Sequence, residues 1–71
     1  ALSYKDKMEY HTLEKEIETL ENEKSRLERE MSSGSLNNEQ IIEKSKRIEE
    51  VMRLINNKTD RWIELSELME Q

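Results

Sequence analysis

The segment Ser32-Ser33-Gly34-Ser35-Leu36-Asn37-Asn38 lies at the middle of the chain and contains its only glycine. It is also the only stretch dense in turn-forming residues. Gly34 suits the left-handed backbone position just after the end of a helix. Asn37 with Gln40 three residues later resembles a capping box, the signature of a helix start. The segment therefore predicts a loop over about residues 32–37 between two helices.

The first half of the chain has the seven-residue repeat of a coiled coil. Its apolar residues follow one another in steps of three and four, with Lys24 in the one gap, and are Tyr10, Leu13, Ile17, Leu20, Leu27 and Met31. This spacing places them on one side of a helix, and neither proline nor glycine interrupts the segment. We therefore expect a helix over about residues 3–31. Lys24 would pack its stem in the seam or help to fix the register.

The second half repeats the pattern. A similar seam consists of Ile41, Ile48, Met52, Ile55, Trp62 and Met69, with Ser45, Thr59 and Ser66 in its weak positions. A further set widens the apolar stripe to one side, namely Ile42, Val51, Leu65 and Leu68. We expect a second helix over about residues 38–70.

Two amphipathic helices of similar length joined by a short polar loop predict an all-α fold, a two-helix antiparallel coiled-coil hairpin that forms one domain over residues 1–71. With the loop centred near residue 36, the expected neighbours are Leu27 and Ser45, Lys24 and Ile48, Leu20 and Met52, Ile17 and Ile55, and Tyr10 and Trp62. The alternative is one continuous helix that dimerises, which the loop composition disfavours. A globular core is excluded, because 71 residues of which 32% are hydrophobic cannot fill one.

The composition excludes several classes of function. Without cysteine there is no disulfide, no cysteine zinc site and no thiol nucleophile. The longest apolar run is two residues, so we expect no membrane span, and we expect no signal peptide. A single glycine cannot form a glycine-rich phosphate loop. His11, the only histidine, lacks the preceding glutamate of a di-iron ligand pair and is expected in solvent, so we expect no catalytic residue, no metal site and no cofactor in this chain.

The charge is unevenly distributed along the chain. Residues 24–47 carry six basic and four acidic side chains, a net charge of +2, although the whole chain carries −5. The loop end of the hairpin is therefore expected to be basic and the opposite end acidic. Clustered cations at the end of a rod can contact phosphates. We predict sequence-independent binding of nucleic acid, DNA or ribosomal RNA, through Lys24, Arg26, Arg29, Lys44, Lys46 and Arg47.

The two ends of the chain carry motifs. The chain opens with Leu2-Ser3-Tyr4-Lys5, followed by Leu13-Glu14, Ile17-Glu18 and Leu20-Glu21, and it closes with Arg61-Trp62-Ile63-Glu64-Leu65. The opening resembles the start of the C-terminal domain of ABC-F ATPases of the Uup type, and the close resembles the Arg-Trp-x-Glu-Leu ending of that domain. The resemblance covers the whole chain, but its coiled-coil middle would match any helix rich in glutamate and leucine.

The resemblance implies a C-terminal two-helix coiled coil excised from a larger cytoplasmic protein. That protein would carry two ATP-binding cassettes and no membrane domain, would act on the ribosome or on nucleic acid, and would bind ATP and magnesium outside this segment. In Uup-type members the resembled domain is a DNA-binding module that the ATPase needs for full activity. We expect the hairpin to be monomeric. The alternative hypothesis is a protein-interaction or regulatory arm, which would dock on a ribosomal protein, on its own ATPase domains or on a second copy through Val51, Leu65 and Leu68.

Overall fold

The computed structural model describes residues 2–70 of the chain as two long helices. Helix α1 comprises Tyr4–Ser32 and helix α2 comprises Asn38–Met69. The helices run antiparallel along each other and form a rod with principal dimensions of 52 × 16 × 14 Å. The described range contains no strand. The all-α helical hairpin expected from the sequence is confirmed, in place of one continuous helix.

The loop is built as its sequence indicates. Gly34 has a φ of +74°, in the left-handed region that glycine adopts without steric cost. The side chain of Asn37 accepts a hydrogen bond from the backbone N–H of Gln40 at 2.8 Å, and the Gln40 side chain accepts one from the N–H of Asn37 at 3.0 Å. This reciprocal capping box has Asn37 as its N-cap, and α2 begins at Asn38. At the start of α1, the Ser3 hydroxyl accepts from the N–H of Asp6 at 3.1 Å.

The core is a single seam between the two helices. On α1 its buried members are Leu13, Leu20 and Leu27, which are seven residues apart. On α2 the fully buried side chains are Val51 and Leu65. The spacing of seven residues on α1 and of fourteen, two repeats, on α2 is the expected packing of a coiled coil.

One of the two rows of the predicted α2 seam is wrong by one position. In the other row Ile48, Ile55 and Trp62 are half-buried as expected, and its end members Ile41 and Met69 are 38% and 46% exposed. Met52, which was also expected in the seam, is 46% exposed. The row that faces α1 instead contains Val51 and Leu65, which were expected only to widen the stripe. The other two members of that row are Lys44 and Lys58, whose side chains are about three-quarters buried. Their aliphatic stems pack in the seam while the ammonium groups reach its edge. Because lysine counts as polar, a hydrophobicity pattern does not reveal this row.

The register between the helices agrees with a loop centre near residue 36. The rings of Tyr10 and Trp62 stack with their centroids 5.4 Å apart and an interplanar angle of 21°. This confirms the expected pairing of Tyr10 with Trp62 at the end of the hairpin far from the loop. Met52 was expected beside Leu20, but α2 buries the preceding residue, Val51, instead.

Candidate nucleic-acid interface and the two flanks of the hairpin

Two of the six cations predicted to bind phosphate are held by carboxylates of the neighbouring helix. Lys44 donates from Nζ to Oε2 of Glu30 at 2.8 Å. Arg47 donates two hydrogen bonds to the carboxylate of Glu23, at 2.6 and 2.9 Å, and a third to Glu50 at 3.1 Å. Such charge-assisted, two-pronged pairs are the stronger type of ion pair. Lys44 and Arg47 are therefore occupied within the hairpin.

The pKa values of these groups shift in the direction that ion pairing requires. The hydrogen bonds from Arg47 lower the pKa of the Glu23 carboxyl, and the hydrogen bond from Lys44 lowers the pKa of the Glu30 carboxyl. The same pair with Glu23 raises the pKa of the Arg47 guanidinium. Each shift favours the charged form of its group at neutral pH.

The remaining four predicted cations are less constrained. Arg26 is exposed and its Nε lies 3.8 Å from Oε1 of Glu30, a long and weak contact. Arg29 and Lys46 are exposed, and neither forms an ion pair with the residues that the structure describes. Lys24 is half-buried in the seam, also without an ion pair in the described range. The structure therefore leaves Arg26, Arg29 and Lys46 pointing away from the seam near the loop end.

The basic excess at the loop end depends on where the segment is cut. Glu23 and Glu50 both bind Arg47, and both lie outside residues 24–47. Over residues 23–50 the chain carries six basic and seven acidic side chains, a net charge of −1. The candidate site is therefore a small set of uncompensated cations rather than a strongly basic end.

A feature missed in the sequence is a row of glutamates along α1. Glu9, Glu16, Glu23 and Glu30 are seven residues apart, so they lie on one side of the helix. Each contacts a cation of α2 across the seam, and the four pairs, in order, are Glu9 with Arg61 at 2.9 Å, Glu16 with Lys58 at 3.4 Å, Glu23 with Arg47 at 2.6 Å and Glu30 with Lys44 at 2.8 Å. We call this side of the hairpin the paired flank. The seven-residue spacing of the glutamates was the available signal for it.

The opposite side of the seam has no such pairs among the described residues. Its α1 row is Lys7, Glu14, Glu21 and Glu28, and its α2 row is Ser45, Met52, Thr59 and Ser66. Glu14 and Thr59 line the same cavity, together with Ile17, Glu18 and Trp62, which places the two rows on one side of the hairpin. We call this side the open flank. Its carboxylates face hydroxyls and a methionine of α2 instead of cations.

The end of the hairpin far from the loop carries the aromatic residues. His11 is exposed, packs edge-on against Tyr10 at 5.5 Å and places Nδ1 3.4 Å from Glu14. The indole N–H of Trp62 is buried and has no acceptor among residues 2–70. In that range, no cluster of histidine and acidic side chains is arranged to hold a metal ion, and neither helix is long and apolar enough to cross a membrane.

The apolar docking stripe proposed from the sequence is mostly buried. Val51 and Leu65 are fully enclosed between the helices, so a partner cannot contact them. Leu68 is 43% exposed but lies beside the paired flank, three residues after Leu65. The other exposed apolar side chains of α2 are Ile41, Ile42, Met52, Ile63 and Met69.

Residues 1–67 match the model of the ABC transporter C-terminal domain. No curated protein and no solved structure matches the chain. The match covers nearly the whole chain, including both terminal motifs.

Proposed function

The chain belongs to the family of ABC transporter C-terminal domains, typical of ABC-F proteins of the Uup type, and on that basis we propose that it is a nucleic-acid-binding accessory domain of an ABC-F ATPase. In this proposal, the domain contacts DNA or ribosomal RNA while the ATP-binding cassettes of the larger protein hydrolyse ATP. The observation that carries the proposal is the pair of exposed cations Arg29 and Lys46. They lie near the loop, on different helices, and have no carboxylate partner in the described residues.

The predicted contact residues have unequal roles in this proposal. Arg29 and Lys46 are free to bind phosphate, and Arg26 has only the long contact with Glu30 to give up. Lys44 and Arg47 would first have to leave short hydrogen bonds with Glu30 and Glu23. They hold the two helices in place behind the contact residues. Lys24 contributes positive charge from within the seam.

The proposed contacts determine the strength and salt dependence of binding. Phosphate contacts carry no sequence information, so binding is independent of sequence. For about three phosphates neutralised, affinity falls about 40-fold between 50 and 200 mM salt. The net charge of −5 opposes binding of a polyanion, so the affinity of the isolated domain is low.

The test is fluorescence anisotropy of labelled duplex DNA, branched DNA and ribosomal RNA fragments. The variant Arg29→Gln/Lys46→Gln removes two free cations and is expected to reduce the slope of log affinity against log salt by about two. The matched control Lys5→Gln/Lys15→Gln removes the same charge from exposed positions nearer the opposite end and should leave the slope unchanged. Equal losses in both variants, or no binding at low salt, would overturn the proposal.

A further inference from the structure

The two flanks of the hairpin differ in how their charges are satisfied. Four ion pairs join the helices along the paired flank. Along the open flank, the carboxylates of Glu14, Glu21 and Glu28 make no ion pair with α2 in the described residues. Ion pairs bridge the helices on one side of the rod, and the carboxylates of the other side are left available to a third element.

The open flank also exposes apolar side chains. Met52 lies in its α2 row and is 46% exposed. Ile42 and Ile63 lie three residues before Ser45 and four after Thr59, so they are on the adjoining surface of α2, and they are 55% and 43% exposed. These three residues extend over 21 positions, which is about 30 Å of helix. The cavity lined by Trp62 and Thr59, of about 300 Å³, lies on the same side.

The charge of this surface identifies the chemistry of an occupant. Its glutamates are Glu14, Glu18, Glu21, Glu28 and Glu49, and its cations are Lys24 in the adjoining seam and Lys7 at the start of the α1 row. A second copy of the chain would bring the same acidic flank and be repelled. An anionic lipid surface would be repelled for the same reason. A segment with apolar residues on one side and lysine or arginine beside them would cover the exposed apolar side chains and pair with the glutamates of this surface.

We propose that the open flank binds a basic amphipathic helix, which lies along the groove between α1 and α2 and completes a three-helix arrangement. Its apolar face covers Met52, Ile63 and Ile42. Its cations pair with Glu14, Glu21 and Glu28, which follow one another at one coiled-coil repeat. This is the helix-in-groove mode of recognition, in which anchors at helical spacing enter an apolar groove. The site lies on a different side of the hairpin from Arg29 and Lys46, and only its end at Glu28 and Ile42 approaches these cations.

The test uses a synthetic peptide of three heptads with leucine at the core positions, lysine at the flanking positions and alanine elsewhere. A second peptide with glutamate in place of lysine is the charge control. Trp62 is the only tryptophan and lines the cavity on this flank, so its fluorescence reports binding. We expect the lysine peptide to bind one to one and the glutamate peptide not to bind.

The variant Glu14→Gln/Glu21→Gln/Glu28→Gln is expected to weaken binding of the lysine peptide about tenfold, because three solvent-exposed charge pairs are lost. The control is Glu43→Gln/Asp60→Asn/Glu67→Gln, which removes the same charge from exposed positions on the outer side of α2. Equal affinity for the two triple variants would show attraction by net charge alone and would overturn the proposal.

A second pair of variants tests the apolar part. Met52→Gln/Ile63→Gln should also weaken binding about tenfold, since apolar anchors contribute most of the affinity of a helix in a groove. Leu68→Gln, an exposed leucine beside the paired flank, should leave the affinity unchanged. These side chains are already exposed, so circular dichroism should show all variants folded. Undiminished binding by Met52→Gln/Ile63→Gln, or a complex that contains two copies of the domain, would contradict the assignment.

Discussion

Leu65 and Leu68 lie three residues apart on α2 and meet different surroundings. Leu65 is fully buried against α1, whereas Leu68 is 43% exposed beside the paired flank. A rotation of α2 by about 60° would bring Leu68 to the position of Leu65, because three residues fall about 60° short of a full turn. Only a narrow stripe of each helix faces the other. The side-chain row that contains Leu65 therefore defines how α2 is oriented on α1.

Truncation of these two leucines should have unequal effects. Leu65→Ala is expected to lower the free energy of unfolding by about 2–4 kcal/mol, because it removes buried methyl groups and leaves a cavity. Leu68→Ala should change it by less than about 0.5 kcal/mol. Urea denaturation followed by circular dichroism measures both values. Similar losses for the two variants would contradict the observed orientation of α2.

The orientation of α2 was also the part of the fold that the sequence predicted least well. Apolar residues cover a wide arc of α2, so Val51 and Met52 were equally eligible for the seam. Lys44 and Lys58 occupy seam positions with buried stems, which a pattern of hydrophobic residues cannot show. On α1 the arc is narrow, and Leu13, Leu20 and Leu27 were all predicted and are all buried.

At the scale of the elements, the loop controls where α2 begins. The capping box of Asn37 and Gln40 gives an acceptor to two backbone N–H groups at the start of α2. The positive φ of Gly34 lets the chain turn back after α1. Both features were predictable, because glycine and asparagine have these conformational preferences locally and independently of the rest of the fold.

Loss of the cap should weaken the whole hairpin. Asn37→Ala is expected to lower the free energy of unfolding by about 1 kcal/mol, since the N–H of Gln40 loses its acceptor. The neighbouring Asn38→Ala should have little effect, because the Asn38 side chain is exposed and accepts no capping hydrogen bond. Thermal denaturation compares the two. An equal fall in melting temperature would argue against a stabilising role for the box.

At the scale of the whole molecule, the ion pairs of the paired flank extend along nearly the full length of the rod. Hydrogen bonds from Arg61, Arg47 and Lys44 lower the pKa values of Glu9, Glu23 and Glu30, respectively. A carboxyl whose pKa is lowered by folding stabilises the fold above its ordinary pKa of 4.5, and this stabilisation disappears as the pH falls through the lowered value.

The paired flank therefore predicts a pH-dependent effect of one glutamate. Glu23→Gln should be less stable than the native chain at pH 7, and the difference in melting temperature should shrink as the pH falls below about 4.5. Glu21→Gln removes the same charge from the open flank, where no cation of α2 is paired with it, and should show no such pH-dependent loss. A pH-independent effect of Glu23→Gln would show that its bonds with Arg47 do not stabilise the hairpin.

The candidate nucleic-acid interface was only partly predictable, because the ion pairs that form on folding determine which cations are available. All six cations were visible in the sequence, but their availability depends on which carboxylates lie across the seam. Glu23 binds Arg47 from 24 residues away, a contact that exists only in the folded register. Arg29 and Lys46 remain free because no glutamate of the opposite helix lies within pairing distance in the described range.

The most direct test of the proposed nucleic-acid contact is to map it residue by residue. We would titrate the ¹⁵N-labelled chain with duplex DNA at about 50 mM salt and record amide and indole chemical shifts. The expected result is a set of shifts at Arg29, Lys46 and the loop between them, with the indole of Trp62, about 24 Å from Lys46 along α2, unchanged. Shifts centred on Trp62 or on the open flank, or none at all, would contradict binding at the loop end.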